Sequence, residues 1–122
     1  MFGPSPGLFA GSEDCLYLNI YSPALPAAAG RGVDRSALKP VMVWLHGGGF
    51  IEGSGAEYYP RALVEKEVVV VTLNYRLASL GFLTFGNSVV GGNMGLRDQL
   101  EALRWVQRYI HHFGGDPDKV LH

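Results

Sequence analysis

Two unbroken apolar runs predict buried strands in the first half of the chain. Residues 41–45 follow Pro40, and residues 68–73 are almost entirely β-branched. Runs without polar alternation are typical of strands buried on both faces, which belong mainly to parallel sheets. A further strand is predicted at residues 16–21, where apolar and aromatic residues alternate until Pro23 ends the segment.

The last third of the chain changes to a helical period. From Leu96 to Phe113, apolar residues recur three or four positions apart, with charged residues between them. This spacing predicts an amphipathic helix. Gly114 and Gly115 follow its last apolar residue, where a helix C-terminus favours glycine, and Asp116-Pro117 is expected to start the next turn.

Weaker signals complete the pattern: irregular chain at residues 1–12, a surface loop at 26–38, a short helical stretch at 62–66 and the opening of a strand at 120–122. Strands followed by helices predict an α/β fold in which helices cover a mainly parallel sheet. At 122 residues, the chain is long enough for one modest domain.

Composition narrows the function classes. Ten Lys and Arg against eleven Asp and Glu give a net charge of −1, so charge offers no argument for nucleic acid or an anionic membrane as a partner. The apolar runs are too short to span a bilayer, and the N-terminus does not resemble a signal peptide, so the sequence does not specify a localisation. A single cysteine, Cys15, excludes an internal disulfide.

The segment with the clearest chemistry is residues 44–50, where His46 is followed by Gly47, Gly48 and Gly49 directly after a predicted buried strand. Consecutive glycines allow the backbone to turn sharply and present its N–H groups to a ligand. Such amides can stabilise the negative charge that develops on a carbonyl oxygen during acyl transfer. Neither the phosphate-loop spacing nor the dinucleotide fingerprint fits this segment. From these residues alone, an oxyanion-binding loop and a glycine turn without chemistry both remain open.

Further segments of the chain settle which family it resembles. Together with residues 44–50, here called the glycine loop, they resemble the type-B carboxylesterase and cholinesterase family. The segments occur in the family's order and extend over nearly the whole chain from Ser12 to Val120. The matching segments are residues 12–19, residues 73–77 continuing to 81–83, residues 92–99, and residues 102–107 with 113–117. The resemblance implies that residues 1–122 are the N-terminal part of a single, incomplete α/β-hydrolase domain.

The resemblance also implies roles for individual residues. Gly48 and Gly49 resemble the two loop amides of the family's oxyanion hole, with Gly47 permitting the turn and His46 bracing the loop. Arg76 and Asp98 resemble a structural salt bridge of the fold. By the same resemblance, Glu13 would pair with an arginine and Cys15 with a cysteine, both upstream of this chain.

The catalytic residues themselves are expected to be absent. In the family, the strand after residues 114–117 leads into a Gly-x-Ser-x-Gly elbow carrying the nucleophilic serine, and this chain ends at His122 before it. The acid and the histidine of the triad come later still. The resemblance therefore implies a fragment of a carboxylic ester hydrolase, acting on small-molecule esters without a metal or cofactor, inactive as this chain alone.

Two alternatives remain open at this stage. The family includes cell-adhesion proteins that keep the fold and lose the serine, although the intact loop at residues 46–49 favours the enzyme. The chain could also lack a function of its own. Adjacent His111 and His112 are interpreted as a solvated helix end instead of a metal site, because neighbouring helical positions point about 100° apart.

Overall fold

The computed structural model describes residues 12–23, 34–87, 89 and 91–122. In this part of the chain, strands and helices follow each other as the sequence predicts, except for the short helix Ala78–Phe82, which was not predicted. The elements are β1 (Leu18–Tyr21), β2 (Lys39–Leu45), α1 (Arg61–Val64), β3 (Val69–Leu73), α2 (Ala78–Phe82), α3 (Met94–Tyr109) and β4 (Gly115–Leu121), with 3-10 turns at Arg35–Ala37, Gly55–Glu57 and Ile110–Phe113.

The strands form one mixed sheet in the order β1-β3-β2-β4. β2 is parallel to both β3 and β4, whereas β1 is antiparallel to β3. In register, Val71 of β3 faces Val43 of β2 on one side and Ile20 of β1 on the other. All residues of β3 are buried, which confirms the prediction for this strand. The sheet with its helices has the α/β architecture that the sequence predicts.

The prediction that β2 is buried on both faces is wrong. Val41 and Val43 are buried in the core, but Trp44 is 47% exposed. The core joins the odd-numbered residues of β2 and β3 to Val106 and Ile110, so the helical side covers only one face of β2. Because strand side chains alternate between faces, an apolar run does not reveal whether both faces are covered.

The long helix follows the predicted period and ends where the glycines indicate. α3 continues into the 3-10 turn Ile110–Phe113, and Gly114 ends it in the left-handed region at φ 82°. Val106 and Ile110 are fully buried, but Leu96 and Leu100 remain 44% and 48% exposed. The second half of the helix therefore packs on the sheet, while the apolar stripe of its first half lies at the surface.

The end of the chain differs from the prediction. β4 begins at Gly115, five residues before the predicted strand start at residue 120. Lys39 pairs with Gly115 and Val41 with Val120, so residues 116–119 bulge opposite Pro40. The bulge places Pro40, which has no N–H to donate, where the ladder is interrupted. The expected turn at Asp116 survives inside the bulge, since its carboxylate accepts a hydrogen bond from the amide of Asp118 at 3.0 Å.

Other boundaries shift slightly. β1 begins at Leu18 instead of residue 16, and the stretch predicted at 62–66 is the helix Arg61–Val64. The predictions for residues 1–11 and for most of the 26–38 loop lie outside the described residues. Among the residues that are described, no helix has the length and apolar character needed to cross a membrane.

Candidate functional site

The glycine loop lies at the carboxyl edge of the two central parallel strands. It leaves the end of β2 at Leu45, and the neighbouring strand β3 ends at Leu73, opposite it in register. His46 and Tyr75 therefore come together just beyond the edge, with their rings stacked at 4.5 Å and 16°. Ligands of open α/β sheets bind at this edge because the loops that follow parallel strands converge there.

The backbone of the loop requires glycine at Gly48 and Gly49. Gly48 has φ 121° and Gly49 has φ 62°, both in the region that side chains disfavour. A Cβ at Gly48 would also collide with the carbonyl oxygen of Glu52. Gly47 lies outside that region and has open space around it. The turn is therefore made by Gly48 and Gly49 and not, as the resemblance implied, permitted by Gly47.

Two carbonyl groups of the loop are held by protein donors. Nδ1 of His46 lies 2.8 Å from the carbonyl oxygen of Gly47, and the carbonyl of Gly48 accepts from the amides of Ile51 and Glu52 at 3.0 and 3.3 Å. In a planar trans peptide, the N–H points opposite to the C=O. The amides of Gly48 and Gly49 therefore point away from these contacts, and neither donates to any residue that the structure describes.

His46 lies at the base of the loop and is 3% exposed. Because a carbonyl oxygen can only accept, Nδ1 carries the hydrogen in its contact with Gly47. In the neutral ring, Nε2 is then an acceptor, and it has no partner within the described part of the chain. The residue predicted to brace the loop is thus buried against it.

The far end of the loop is tied to α2. The amide of Ala78 donates to the carbonyl of Phe50 at 2.7 Å. Both residues have positive φ, 64° at Phe50 and 48° at Ala78, which is uncommon for side chains other than glycine. Such conformations cost on the order of 1–3 kcal/mol each and are found where surrounding contacts impose them.

A pocket of about 320 Å³ opens beside the loop. Its walls are mostly apolar, and α3 contributes Gln99 to them. It is lined by His46, Gly47 and Gly49 from the loop, with Leu45, Phe50, Tyr75 and Gln99. Apolar walls next to a few directed polar groups are typical of small-molecule sites.

Arg76 and Asp98 are brought together near this pocket. Nη2 and Nε of Arg76 donate to Oδ1 and Oδ2 of Asp98 at 2.6 and 2.7 Å, and the Arg76 amide adds a bond of 3.0 Å to Oδ2. The Asp98 side chain is 8% exposed and that of Arg76 is 38% exposed. The hydrogen bonds from Arg76 lower the pKa of Asp98, and the same pairing raises the pKa of Arg76.

The other predicted residues lie apart from the loop. Glu13 is exposed and forms no ion pair with a described residue, and Cys15 is a half-buried free thiol. The rings of His111 and His112 are 4.0 Å apart. Within the residues that are described, no group of three or more His, Cys, Asp or Glu side chains could hold a metal ion.

Sequence reasoning missed Asn74 and Tyr75. Oδ1 of Asn74 accepts from the amide of Gly55 at 2.9 Å, and its Nδ2 donates to the Cys15 carbonyl at 3.0 Å. The hydroxyl of Tyr75 donates to the carbonyl of His46 at 2.8 Å. Both follow a strongly predicted strand, so their position at a strand end was the available signal.

Comparison with solved structures defines the class. Juvenile hormone esterase from Manduca sexta superposes with a TM-score of 0.78 at 46% identity, over 89% of this chain and 20% of that one. EstA from Aspergillus niger superposes with a TM-score of 0.76 at 39% identity, over 98% of this chain and 22% of that one. Both are α/β-hydrolase esterases.

Comparison of sequences identifies the family. The profile of the carboxylesterase family matches residues 2–121. A carboxylic ester hydrolase from Bombus ignitus is 52% identical over 90% of this chain and 19% of its own length. Neuroligin-2 from Mus musculus is 45% identical over 89% of this chain and 15% of its own length. The chain belongs to the carboxylesterase family and spans less than a fifth of the length of these two relatives.

Proposed function

We propose that this chain supplies the oxyanion hole of a carboxylic ester hydrolase that acts through an acyl-serine intermediate. The observation that carries the proposal is the orientation of two successive peptides. The carbonyls of Gly47 and Gly48 are held within the loop, and the amides of Gly48 and Gly49 point the other way without an acceptor among the described residues. Two free amides at the carboxyl edge of a sheet match the donors that acyl transfer requires.

The proposed chemistry follows from that orientation. A serine oxygen attacks the ester carbonyl carbon and loses its proton to a base, while the electron pair of the C=O bond moves onto oxygen. The amides of Gly48 and Gly49 donate to that oxygen, at about 3 kcal/mol of transition-state stabilisation for each donor. The electron pair then returns to re-form the C=O bond, the C–O bond to the alcohol breaks, and the base gives its proton to the departing alcohol. This leaves an acyl-serine, which water hydrolyses through the same two steps. The serine, base and acid would come from outside these 122 residues, so the chain alone would be inactive.

The pocket beside the loop supports an apolar group on the substrate. The apolar residues Leu45, Phe50 and Tyr75 line it together with Gly47 and Gly49 of the loop. We propose a small-molecule ester whose carbonyl oxygen lies against the loop and whose acyl or alcohol part lies in the pocket. No metal or cofactor is needed for this chemistry.

The second candidate is a non-catalytic adhesion protein of the same family. The observation that favours it is the match to Neuroligin-2, a relative not named as an esterase, at an identity close to that of the carboxylic ester hydrolase. The two candidates differ in whether a nucleophilic serine follows the loop in the full-length protein. The glycines at residues 47–49 favour the hydrolase, because the amides of Gly48 and Gly49 have no acceptor among the described residues.

The test uses the full-length gene product. It should hydrolyse an activated aryl ester and react stoichiometrically with a fluorophosphonate probe, and residues 1–122 expressed alone should do neither. Absence of both reactions in the full-length protein would support the adhesion candidate.

A pair of glycine variants tests the loop itself. Gly49→Ala should lower kcat/KM on the order of 100-fold, because alanine in the left-handed region shifts the amide that meets the oxyanion. Gly86→Ala is the matched control, since Gly86 has φ 68° against 62° at Gly49 and equally open space, but lies outside the loop. Equal activity of the two variants would argue against the proposed role of the loop.

A further inference from the structure

Tyr75 lies directly behind the glycine loop, in a position that connects it to His46 twice. It follows β3, is 4% exposed and lines the pocket. Its ring stacks on the imidazole of His46 at 4.5 Å, and the ring of Phe50 packs edge-on at 6.3 Å. Its hydroxyl donates to the carbonyl of His46 at 2.8 Å.

These contacts hold the two parts of His46 that touch the loop, its imidazole ring and its backbone carbonyl. The stacked ring restrains the plane of the imidazole, whose Nδ1 lies 2.8 Å from the carbonyl of Gly47. The hydroxyl holds the peptide that joins His46 to Gly47. The carbonyls of His46, Gly47 and Gly48 are thereby held in succession, by Tyr75, by His46 and by the amides of residues 51 and 52.

We propose that Tyr75 is a positioning residue for the oxyanion loop, acting through His46 to set the direction of the Gly48 amide. This inference rests on the proposed ester hydrolysis. If the Tyr75 hydroxyl is removed, the His46 carbonyl loses its donor. The peptide that joins His46 to Gly47 can then rotate, and the imidazole of His46 moves with it. The hydrogen bond to Gly47 then weakens, and the Gly48 amide no longer has one direction.

The hydroxyl separates this role from simple core packing. Phenylalanine has nearly the same shape and would fill the same space between the rings of His46 and Phe50, but it would leave the buried His46 carbonyl without its donor. Burial raises the pKa of the Tyr75 phenol, so the hydroxyl stays protonated and able to donate throughout the neutral range.

The catalytic test compares Tyr75→Phe with Tyr17→Phe in the full-length protein. Tyr17 is a suitable control because its hydroxyl also donates a hydrogen bond, to Asp14 at 2.8 Å, and because its side chain is exposed just before β1. Tyr75→Phe should lower kcat about tenfold per titrated active site, with KM changed by less than about twofold. Affinity for a trifluoromethyl ketone, which forms a tetrahedral oxyanion with the serine, should fall by about the same factor as kcat.

A second readout does not depend on activity. With ¹⁵N-labelled histidine, wild-type His46 should show a protonated Nδ1, and Tyr75→Phe should shift this signal toward an average of the two tautomers. Tyr17→Phe should leave it unchanged. A wild-type His46 signal in Tyr75→Phe would overturn the inference. So would a loss of kcat that comes with a loss of thermal stability while the affinity for the ketone is unchanged. Failure of the proposed function is seen separately, as a wild-type protein that neither hydrolyses esters nor reacts with the fluorophosphonate.

Discussion

Oδ2 of Asp98 accepts hydrogen bonds from both the backbone amide and Nε of Arg76, at 3.0 and 2.7 Å, while Oδ1 accepts from Nη2 at 2.6 Å. The carboxylate thus joins the second turn of α3 to the segment that follows β3. Because that segment also carries Tyr75, the ion pair anchors the chain immediately behind the glycine loop. Charge-assisted, bidentate pairs of this kind are stronger than ordinary surface ion pairs.

We predict that Asp98→Asn lowers the free energy of unfolding by about 1–3 kcal/mol, because it removes the charge that accepts the guanidinium bonds. Glu65→Gln is the control, since Glu65 pairs with Arg61 on α1 where both side chains are well exposed. Its cost should be about 0–0.5 kcal/mol. Urea unfolding of the full-length protein measures both, and equal costs would contradict a special role for Asp98.

The ion pair between Arg76 and Asp98 also predicts that the free energy of unfolding falls at acid pH. Hydrogen bonds from Arg76 lower the pKa of Asp98 in the folded state below its ordinary value of 3.8. The unfolded chain therefore binds the proton more readily, and the stabilisation, present above that value, is lost as the pH falls through the folded pKa. Asp98→Asn should flatten the curve below pH 3.8 and leave it parallel to wild type at neutral pH. Asp34 and Asp116 also have lowered pKa values, so the variant should keep part of the slope.

The strands were predictable only where the sequence signal is local. The β-branched run at residues 68–73 places β3 within one residue of its observed start, because the strand is buried on both faces. The start of β4 was not predictable, since residues 115–119 are mostly polar or turn-forming. They extend because Gly115 pairs with Lys39 and because Gln107 of α3 donates to the Pro117 carbonyl at 2.7 Å. These are contacts between distant parts of the chain.

The candidate site was also predictable only where the sequence signal is local. From the consecutive glycines alone, an oxyanion-binding loop and a glycine turn without chemistry both remained open, and only the family resemblance favoured the amides of Gly48 and Gly49. The contacts that tie the loop to the chain after β3 come from Tyr75, which donates to the His46 carbonyl, and from Ala78, which donates to the Phe50 carbonyl. Their proximity depends on β3 lying next to β2, which the local pattern does not specify.

A series of alanine substitutions should rank the loop glycines by stability. Gly48→Ala should cost most, several kcal/mol, because it combines positive φ with a collision against the Glu52 carbonyl. Gly49→Ala should cost about 1 kcal/mol, the strain of a left-handed alanine in open space. Gly47→Ala, with ordinary φ and no atom near its Cβ, should be close to neutral. Thermal unfolding of the full-length variants gives the order, and a Gly47 cost equal to that of Gly48 would show that the loop has another conformation.

Helix α3 and the 3-10 turn that extends it should respond differently to substitution. Ile110→Ala should destabilise by about 2–5 kcal/mol, because Ile110 is fully buried against the sheet and the change leaves a cavity. Leu100→Ala, at a side chain that is 48% exposed, should cost far less.

Exposed apolar surface on the first half of the helix should also promote association of residues 1–122 when they are expressed alone. Leu96 and Leu100 lie on one helical face, and both are more than two-fifths exposed. Leu100→Lys should therefore shift the elution of this chain toward the monomer in sizing chromatography. Glu101→Gln is the matched control, because it raises the net charge by the same amount at the neighbouring, exposed position. If Glu101→Gln dissociates the chain as well as Leu100→Lys does, charge and not the apolar face controls association, and the prediction is wrong.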